Sequence, residues 1–290
     1  MRNPTVNRVE VNGVTFAYLE LGTGPLALCL HGFPDSAHTW RHLMPRLADA
    51  GYRAVAPFTR GYAPTSVPAD GRYQSGMLAA DAIGLHDALG ADGDAVIIGH
   101  DWGAVATWGA ASAAPQRWRR VVGLAVPFGS ALGASFLANP DQLKRSWYMF
   151  FFQHALADVV VGANDLAFID MLWADWSPGF DGSGDAARAK DCLRDPANLA
   201  AALGYYRAAL GAGAVDPELA DVQAVVGRIP SQPTLYLHGA GDACIGPEVV
   251  KLARAEAPEH VQVELVDGAG HFLHLEQPEV VGERIVTFLA

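Results

Sequence analysis

The chain has 290 residues, 51% of them hydrophobic, and a formal net charge of −11 at pH 7. This length and composition suffice for one large core with an inserted subdomain. The negative charge argues against nucleic acid and anionic membranes as partners. The three cysteines are widely spaced, so neither a disulfide framework nor a zinc signature is predicted.

The first part of the chain alternates between apolar strands and helices. The predicted elements are strands Val6–Val11, Thr15–Leu21, Leu26–Leu30, Tyr52–Pro57, Ala95–Ile98 and Val121–Val126, and helices Trp40–Ala50, Ser75–Leu89 and Ala104–Ala114. Asn12-Gly13 between the first two strands is a strong hairpin signal. The alternation that follows indicates a mostly parallel, twisted sheet of about eight strands, flanked by helices.

This alternation stops after Pro127, where the sequence becomes helical and rich in alanine and aromatic residues. It returns with strand Thr234–Leu237, helix Pro247–Ala257, strand Val261–Val266 and helix Pro278–Leu289. We therefore predict an α/β core formed by residues 1–128 and 229–290. The intervening residues 129–228 are predicted to form a helical cap inserted into that core.

The apolar runs of the sequence are short. None reaches the ~18 residues that a membrane span needs, and the N-terminal residues lack the apolar segment of a signal peptide. We expect a cytoplasmic protein with no membrane partner. A homodimer that pairs through exposed cap helices is compatible with the sequence.

Residues 96–104, VIIGHDWGA, carry the most specific signal in the chain. A short buried strand, a turn flanked by Gly99 and Gly103, and a helix start form the context of the G-x-S-x-G nucleophile elbow, with Asp101 replacing serine. A carboxylate is ionised at pH 7 and needs no base for its own attack. It suits displacement at a saturated carbon, which leaves an alkyl–enzyme ester for water to cleave. The alternative is that Asp101 only caps the helix.

Three further motifs follow strand ends, where open α/β sheets build their sites. HGFP begins at His31, HGAGDACIG carries Asp242, and DGAGHFLHLEQPE carries His271. The chain order nucleophile, acid, histidine is that of the α/β-hydrolases. Asp242 follows its own strand and is favoured as the acid, while Asp267 is the alternative.

These motifs taken together resemble those of an α/β-hydrolase of the epoxide hydrolase branch: HGFP, GHDWGA, a late aspartate and GHFxxxEQPE. The resemblance implies a triad of Asp101, His271 and Asp242. It also implies an oxyanion hole made by the backbone N–H groups of Phe33 and Trp102. Water is then the co-substrate, and no metal or organic cofactor is required.

The resemblance extends into the cap and to the loop after the third strand. The contexts YMFFFQ and YYR are similar to those of two cap tyrosines that act as acids toward the epoxide oxygen, which points to Tyr148 and Tyr206. Tyr205 is an alternative to Tyr206, and simple packing is an alternative for both. A cis peptide bond is expected before Pro34. The residues expected to contact the substrate are Trp102, Phe33, Phe152 and Trp147.

The implied reaction is hydrolysis of an apolar epoxide to a vicinal diol. A haloalkane dehalogenase is the alternative, because it uses the same Asp–His–Asp triad, with the Trp102 indole as one halide donor. Phe33 stands where one dehalogenase group has a second donor, an asparagine, and the tyrosine pair favours the epoxide. A non-catalytic ligand-binding protein on the same scaffold is a third hypothesis, since fold alone does not prove activity.

Overall fold

The computed structural model describes residues 4–211, 213 and 215–290. Residues 1–3 of the predicted core and residues 212 and 214 of the predicted cap lie outside this description. One sheet contains the strands β1 (Thr5–Val11), β2 (Val14–Leu21), β3 (Leu26–Leu30), β4 (Arg53–Pro57), β5 (Val96–His100), β6 (Arg120–Leu124), β7 (Thr234–Gly239) and β8 (Val261–Val266). Their order is β1-β2-β4-β3-β5-β6-β7-β8.

The sheet confirms the predicted α/β class and its eight strands. The pairs β1–β2 and β2–β4 are antiparallel, and the other neighbouring strands are parallel. Every residue of β3, β5 and β7 is buried, because helices cover both faces of a parallel sheet. Parallel strands place the loops that follow β3, β5, β7 and β8 at one edge of the sheet, where the predicted motifs meet.

The helices in the described part of the chain are α1 (Leu43–Asp49), α2 (Ser75–Ala88), α3 (Trp102–Ala113), α4 (Ala131–Ala138), α5 (Pro140–Arg145), α6 (Trp147–Phe151), α7 (Leu156–Gly162), α8 (Ala167–Trp176), α9 (Ser183–Leu193), α10 (Pro196–Ala209), α11 (Ala220–Gln223), α12 (Val249–Glu256), α13 (Leu273–Glu276) and α14 (Pro278–Leu289). Short 3₁₀ helices lie at Ala37–Arg41, Pro115–Arg117 and Pro217–Leu219. Within the described residues, no helix combines the length and apolar character that a membrane crossing requires.

Two local predictions have different outcomes. The hairpin is confirmed: Asn12 and Gly13 have φ angles of 48° and 73°, and Val11 pairs with Val14, as the twist of a two-residue hairpin requires. The single helix predicted over Trp40–Ala50 is wrong, because a 3₁₀ turn precedes α1. Pro45 has no N–H to donate back along a helix, so it is accommodated in the first turn of α1 and not in a helix interior.

Between β6 and β7 the described residues form helices α4 to α11 and no strand. This helical insertion packs over the edge of the sheet where the motif loops meet. The Trp173 indole nitrogen donates a hydrogen bond to the Pro34 carbonyl at 2.8 Å. Its ring stacks on that of Phe272, with centroids 3.5 Å apart. The insertion is thus anchored to the loops after β3 and β8.

Candidate active site

The turn between β5 and α3 holds Asp101 in an unusual backbone conformation, with φ 54° and ψ −120°. A non-glycine residue in this region is strained and persists only where its surroundings enforce it. Gly99 and Gly103 allow the turn, since a side chain at Gly99 would overlap the Gly103 carbonyl and one at Gly103 would overlap the Leu30 carbonyl. The strand–turn–helix elbow expected from the sequence is present.

The Asp101 carboxylate points away from its helix toward the loop after β3. Its side chain makes no capping hydrogen bond, and Oδ1 instead accepts a hydrogen bond from the Phe33 backbone N–H at 2.7 Å. A side chain at Gly32 would overlap Asp101 Oδ1 and lie 2.6 Å from the Trp102 nitrogen. The Phe33–Pro34 peptide bond is cis, as expected. One predicted backbone donor, the Phe33 N–H, therefore holds a carboxylate oxygen of Asp101, and the nitrogen of the other, Trp102, borders the same space beside Gly32.

His271 lies between two carboxylates. Its Nδ1 is 3.0 Å from Asp242 Oδ2, and its Nε2 is 3.8 Å from Asp101 Oδ2. The other Asp242 oxygen accepts hydrogen bonds from the Cys244 and Ile245 backbone N–H groups at 2.8 and 2.9 Å. Nε2 is buried and has no hydrogen-bond partner among the described residues. The imidazole is thus held from one side and open on the side facing Asp101.

The alternative acid, Asp267, is exposed after β8. The carboxylate that the structure places against His271 is that of Asp242, which is 2% exposed. Its position after β7 is what allows it to reach across to the loop after β8.

The charges of this group are coupled. Burial disfavours the imidazolium form, but the Asp242 and Asp101 carboxylates outweigh burial and raise the pKa of His271 to about 10. Burial likewise opposes ionisation of Asp242, yet the neighbouring His271 charge and its hydrogen bond lower the Asp242 pKa below its ordinary value. At neutral pH the resting site therefore contains a protonated imidazole flanked by carboxylates.

Two tyrosines of the insertion face this group. Tyr148 on α6 and Tyr206 on α10 are 3% and 2% exposed, and their ring centroids are 5.6 Å apart. The Tyr206 hydroxyl has no hydrogen-bond partner among the residues described. The Tyr205 hydroxyl, in contrast, donates to the Arg60 carbonyl at 2.6 Å. Tyr206 is thus the member of the Tyr-Tyr pair with a free hydroxyl at the site.

Both phenols remain protonated. Burial raises the pKa of Tyr148 and of Tyr206 well above the ordinary value, and the Asp101 carboxylate adds to the effect. A phenol that keeps its proton is a hydrogen-bond donor. The two hydroxyls therefore provide donors opposite the Asp101 side chain.

A cavity lies between the elbow and the insertion. Asp101, Trp102, Tyr148 and Tyr206 contribute to its wall. The apolar part of the wall consists of Val105, Val126, Leu132, Phe136, Met149 and Ile245. Such a site, apolar with a few convergent polar groups, is typical of small-molecule binding.

The remaining predicted contact residues occupy different places. Phe33 and Phe152 are fully buried, and both rings pack edge-on against Tyr206, at 5.3 and 5.1 Å between centroids. Their packing helps to hold the Tyr206 ring in its position. Trp147 does not join this group: it is 43% exposed and packs against Phe151 and Phe168 on the outside of the insertion. Adjacent residues of α6 point in different directions, so Tyr148 faces inward and Trp147 outward.

Comparison with known proteins shows the family to which the chain belongs. The family model of the alpha/beta hydrolase fold matches residues 25–278. An epoxide hydrolase of Caballeronia sordidicola is 30% identical over 97% of this chain and 92% of its own length. Epoxide hydrolase A of Mycobacterium tuberculosis is 32% identical over 100% of this chain and 98% of its own length. The chain belongs to the epoxide hydrolase branch of the α/β-hydrolase family.

A solved structure supports the same grouping. Epoxide Hydrolase A from Mycobacterium thermoresistibile superposes on this hydrolase with a TM-score of 0.77, at 27% identity, over 99% of this chain and 98% of that one. The similarity spans both the sheet and the helical insertion.

Sequence reasoning missed a second polar group in this hydrolase, behind His271. One ligand-type atom each from Asp35, His100 and His274 lies within 4.8 Å of the other two, and all three side chains are buried. Asp35 Oδ2 and the Nδ1 atoms of both histidines have no hydrogen-bond partner in the described part of the chain. His100 Nε2 donates to the His271 carbonyl at 2.9 Å. Imidazole nitrogens and a carboxylate oxygen are ligand types that a divalent transition-metal ion accepts.

Cys244 was also missed. It forms a second such group with Asp242 and His271, but there the Asp242–His271 hydrogen bond already engages two of the three side chains. The signal was its position two residues after Asp242 on the same turn. For Asp35 the signal was its position directly after HGFP.

Proposed function

We propose that this hydrolase converts an apolar epoxide to a vicinal diol through a covalent ester on Asp101. The observation that carries the proposal is that the two Asp101 carboxylate oxygens have different surroundings. Oδ1 is held by the Phe33 N–H, while Oδ2 lies toward His271 at 3.8 Å. One oxygen is thus positioned as the future carbonyl of an ester, and the other is available to attack.

In the first step, Asp101 Oδ2 attacks one epoxide carbon, and the C–O bond on the far side of that carbon breaks. The bonding electrons go to the ring oxygen, which accepts a hydrogen bond from each of Tyr148 and Tyr206 and takes the proton of one of them, leaving a phenolate. The proposal places the substrate in the cavity between the elbow and the insertion, because both tyrosines and Asp101 line it. The product of this step is a hydroxyalkyl ester of Asp101.

In the second step, His271 acts as the general base. Ester formation removes the Asp101 charge, one of the two charges that raise the pKa of His271. Once the ester exists the imidazolium is easier to deprotonate, and its proton returns to the phenolate formed in the first step. The neutral imidazole can then take a proton from water. Water attacks the ester carbonyl carbon, and the Phe33 and Trp102 N–H groups stabilise the oxyanion. As this intermediate collapses, the bond between the carbonyl carbon and the substrate oxygen breaks, the diol leaves with a proton, and the Asp101 carboxylate is restored. Asp242 holds the imidazolium that forms.

We extend the proposal to the domain organisation of the enzyme and to its place in the cell. Residues 129–228 act as the cap and residues 1–128 and 229–290 as the core, in keeping with helices α4 to α11 between β6 and β7. We place the enzyme in the cytoplasm and propose that copies pair through exposed cap helices. Exposed apolar side chains of the insertion, Leu137 and Val159 among them, are compatible with such pairing.

The decisive experiment is a single turnover of styrene oxide in oxygen-18 water with enzyme in excess. If Asp101 forms the ester, the diol of the first turnover contains no oxygen-18, because its new oxygen comes from the carboxylate. The label appears in Asp101 instead, as a peptide mass shift. His271→Gln should accumulate a protein adduct of substrate mass on Asp101, and Asp101→Ala should not.

Two results would redirect the proposal. Oxygen-18 in the first-turnover diol means that water attacks the epoxide directly and rules out the covalent route. Absence of both diol and adduct calls for a halide-release assay with 1-bromobutane. Bromide release with that substrate would establish the dehalogenase alternative.

A further inference from the structure

One buried nucleophilic side chain has no part in the reaction proposed above. Cys244 is completely buried, and its Sγ lies 3.3 Å from the Tyr148 hydroxyl oxygen. Its backbone N–H donates to Asp242 Oδ1 at 2.8 Å. This residue therefore contacts the carboxylate that holds the histidine and one of the two phenols that face the epoxide oxygen.

The direction of the sulfur–hydroxyl hydrogen bond decides what Tyr148 can do. If the phenol donates to sulfur, its proton points away from the substrate. If the thiol donates to the phenolic oxygen, the Tyr148 proton is free to point into the cavity that Tyr148 lines. Burial, together with the charges of Asp242 and Asp101, raises the pKa of Cys244 well above its ordinary value. The thiol therefore retains the proton that it needs as a donor.

We propose that Cys244 is a positioning residue for Tyr148: its S–H donates to the phenolic oxygen and turns the Tyr148 proton toward the epoxide oxygen. This inference rests on the proposed function. When the ring opens, the C–O electrons move to the ring oxygen, which draws the Tyr148 proton. The phenolic oxygen becomes more negative, and the S–H hydrogen bond to it strengthens. The thiol is neither alkylated nor oxidised.

The two phenols are consequently not equivalent. Tyr206 has no hydrogen-bond partner for its hydroxyl within the described residues, so its orientation is set by packing and by the substrate. Tyr148 has a sulfur partner at a fixed position. The contribution of Tyr148 to ring opening should depend on residue 244, and that of Tyr206 should not.

The test separates ring opening from ester hydrolysis by rapid-quench mass spectrometry of the whole enzyme with styrene oxide. Cys244→Ala should slow ester formation by about 3- to 10-fold, the range expected for one lost hydrogen bond. Its rate of ester hydrolysis should be unchanged. Cys244→Ser restores a hydroxyl donor and should remain within about twofold of the wild type.

Two comparisons distinguish positioning from packing. Cys192→Ala, at another buried cysteine in the insertion, should leave both rates unchanged. In a Tyr148→Phe background, Cys244→Ala should have no further effect on ester formation, because the oxygen that the thiol serves is gone.

Several outcomes would overturn the inference. An equal slowing by Cys244→Ala with and without the Tyr148 hydroxyl assigns the residue to packing, as does slowing of both steps together. Unchanged ester formation in Cys244→Ala means that the thiol has no role. If the wild type forms no ester at all, the proposed function fails and the role of Cys244 fails with it; any ester in the wild type separates the two cases.

Discussion

The two sides of the candidate site are built differently. On the core side, Asp101, Asp242 and His271 are held by backbone N–H groups, a strained turn and one another's charges. On the insertion side, Tyr148 and Tyr206 are packed by aromatic edge contacts, and the Tyr206 hydroxyl has no hydrogen-bond partner among the described residues. The core side therefore holds its charged side chains in place, where we propose the covalent chemistry. The insertion side presents tyrosine hydroxyls that can donate hydrogen bonds to a substrate.

The core side is tested most directly by comparing the turnover of variants at two aspartates, Asp242 and Asp267. Asp242→Asn should lower turnover by about 10³- to 10⁴-fold, because the imidazolium loses its charged partner. The matched variant Asp267→Asn changes an exposed carboxylate and should remain within about twofold. Steady-state kinetics with styrene oxide measures both. A large loss of turnover in Asp267→Asn, and not in Asp242→Asn, would assign the role of the triad acid to Asp267.

The insertion side can be tested with its adjacent tyrosines. Tyr206→Phe should reduce the rate of ester formation by about 10-fold, because one of two donors to the ring oxygen is lost. Tyr205→Phe removes a hydroxyl bonded to the Arg60 carbonyl. It should lower the free energy of unfolding by about 1 kcal/mol and leave turnover intact. The reverse pattern would show that Tyr205 faces the substrate.

The coupled charges of the core side predict a pH dependence of stability. The pKa of His271 is about 10 in the folded protein, above the ~6.5 expected when unfolded. Its ion pairs therefore contribute fully below about pH 6.5, and the contribution is lost as pH rises toward 10. The free energy of unfolding of the wild type, relative to that of His271→Gln, should fall by about 1 kcal/mol or more between pH 6 and 10. A difference that does not change with pH would contradict the raised pKa.

The smallest effect is expected outside the cavity. Trp147→Ala shortens a half-exposed side chain on the outer face of the insertion and should change kcat/KM for styrene oxide by less than about twofold. Phe152→Ala, in the buried layer behind the tyrosines, serves as the comparison and should have a larger effect through lost packing. A strong loss in the Trp147 variant would place that ring in the substrate path.

The core side was predictable because its determinants are local in sequence. Gly99 and Gly103 around Asp101 specify a turn that few other residues permit, and the strand-end positions of Asp242 and His271 follow from the parallel sheet. The chemistry assigned to these residues stays a prediction. The geometry that the elbow requires is present in the structure.

The insertion side was harder to predict for a physical reason. Short helices such as α6 expose or bury adjacent aromatic residues according to their neighbours, so Trp147 and Tyr148 cannot be told apart by composition. Pairing across the two sides is equally non-local. The Cys244–Tyr148 contact joins residues 96 positions apart, and nothing in either segment alone signals it.

The long crossover between β6 and β7 has a consequence for synthesis of the chain. These strands are hydrogen-bonded neighbours, although β6 ends at Leu124 and β7 begins at Thr234. A nascent chain therefore contains the Asp101 turn well before the ribosome has added Asp242 or His271. Under the proposed mechanism, an ester formed on Asp101 before the last two strands dock would not be hydrolysed. The same mechanism makes turnover depend on docking of the C-terminal segment against the sheet.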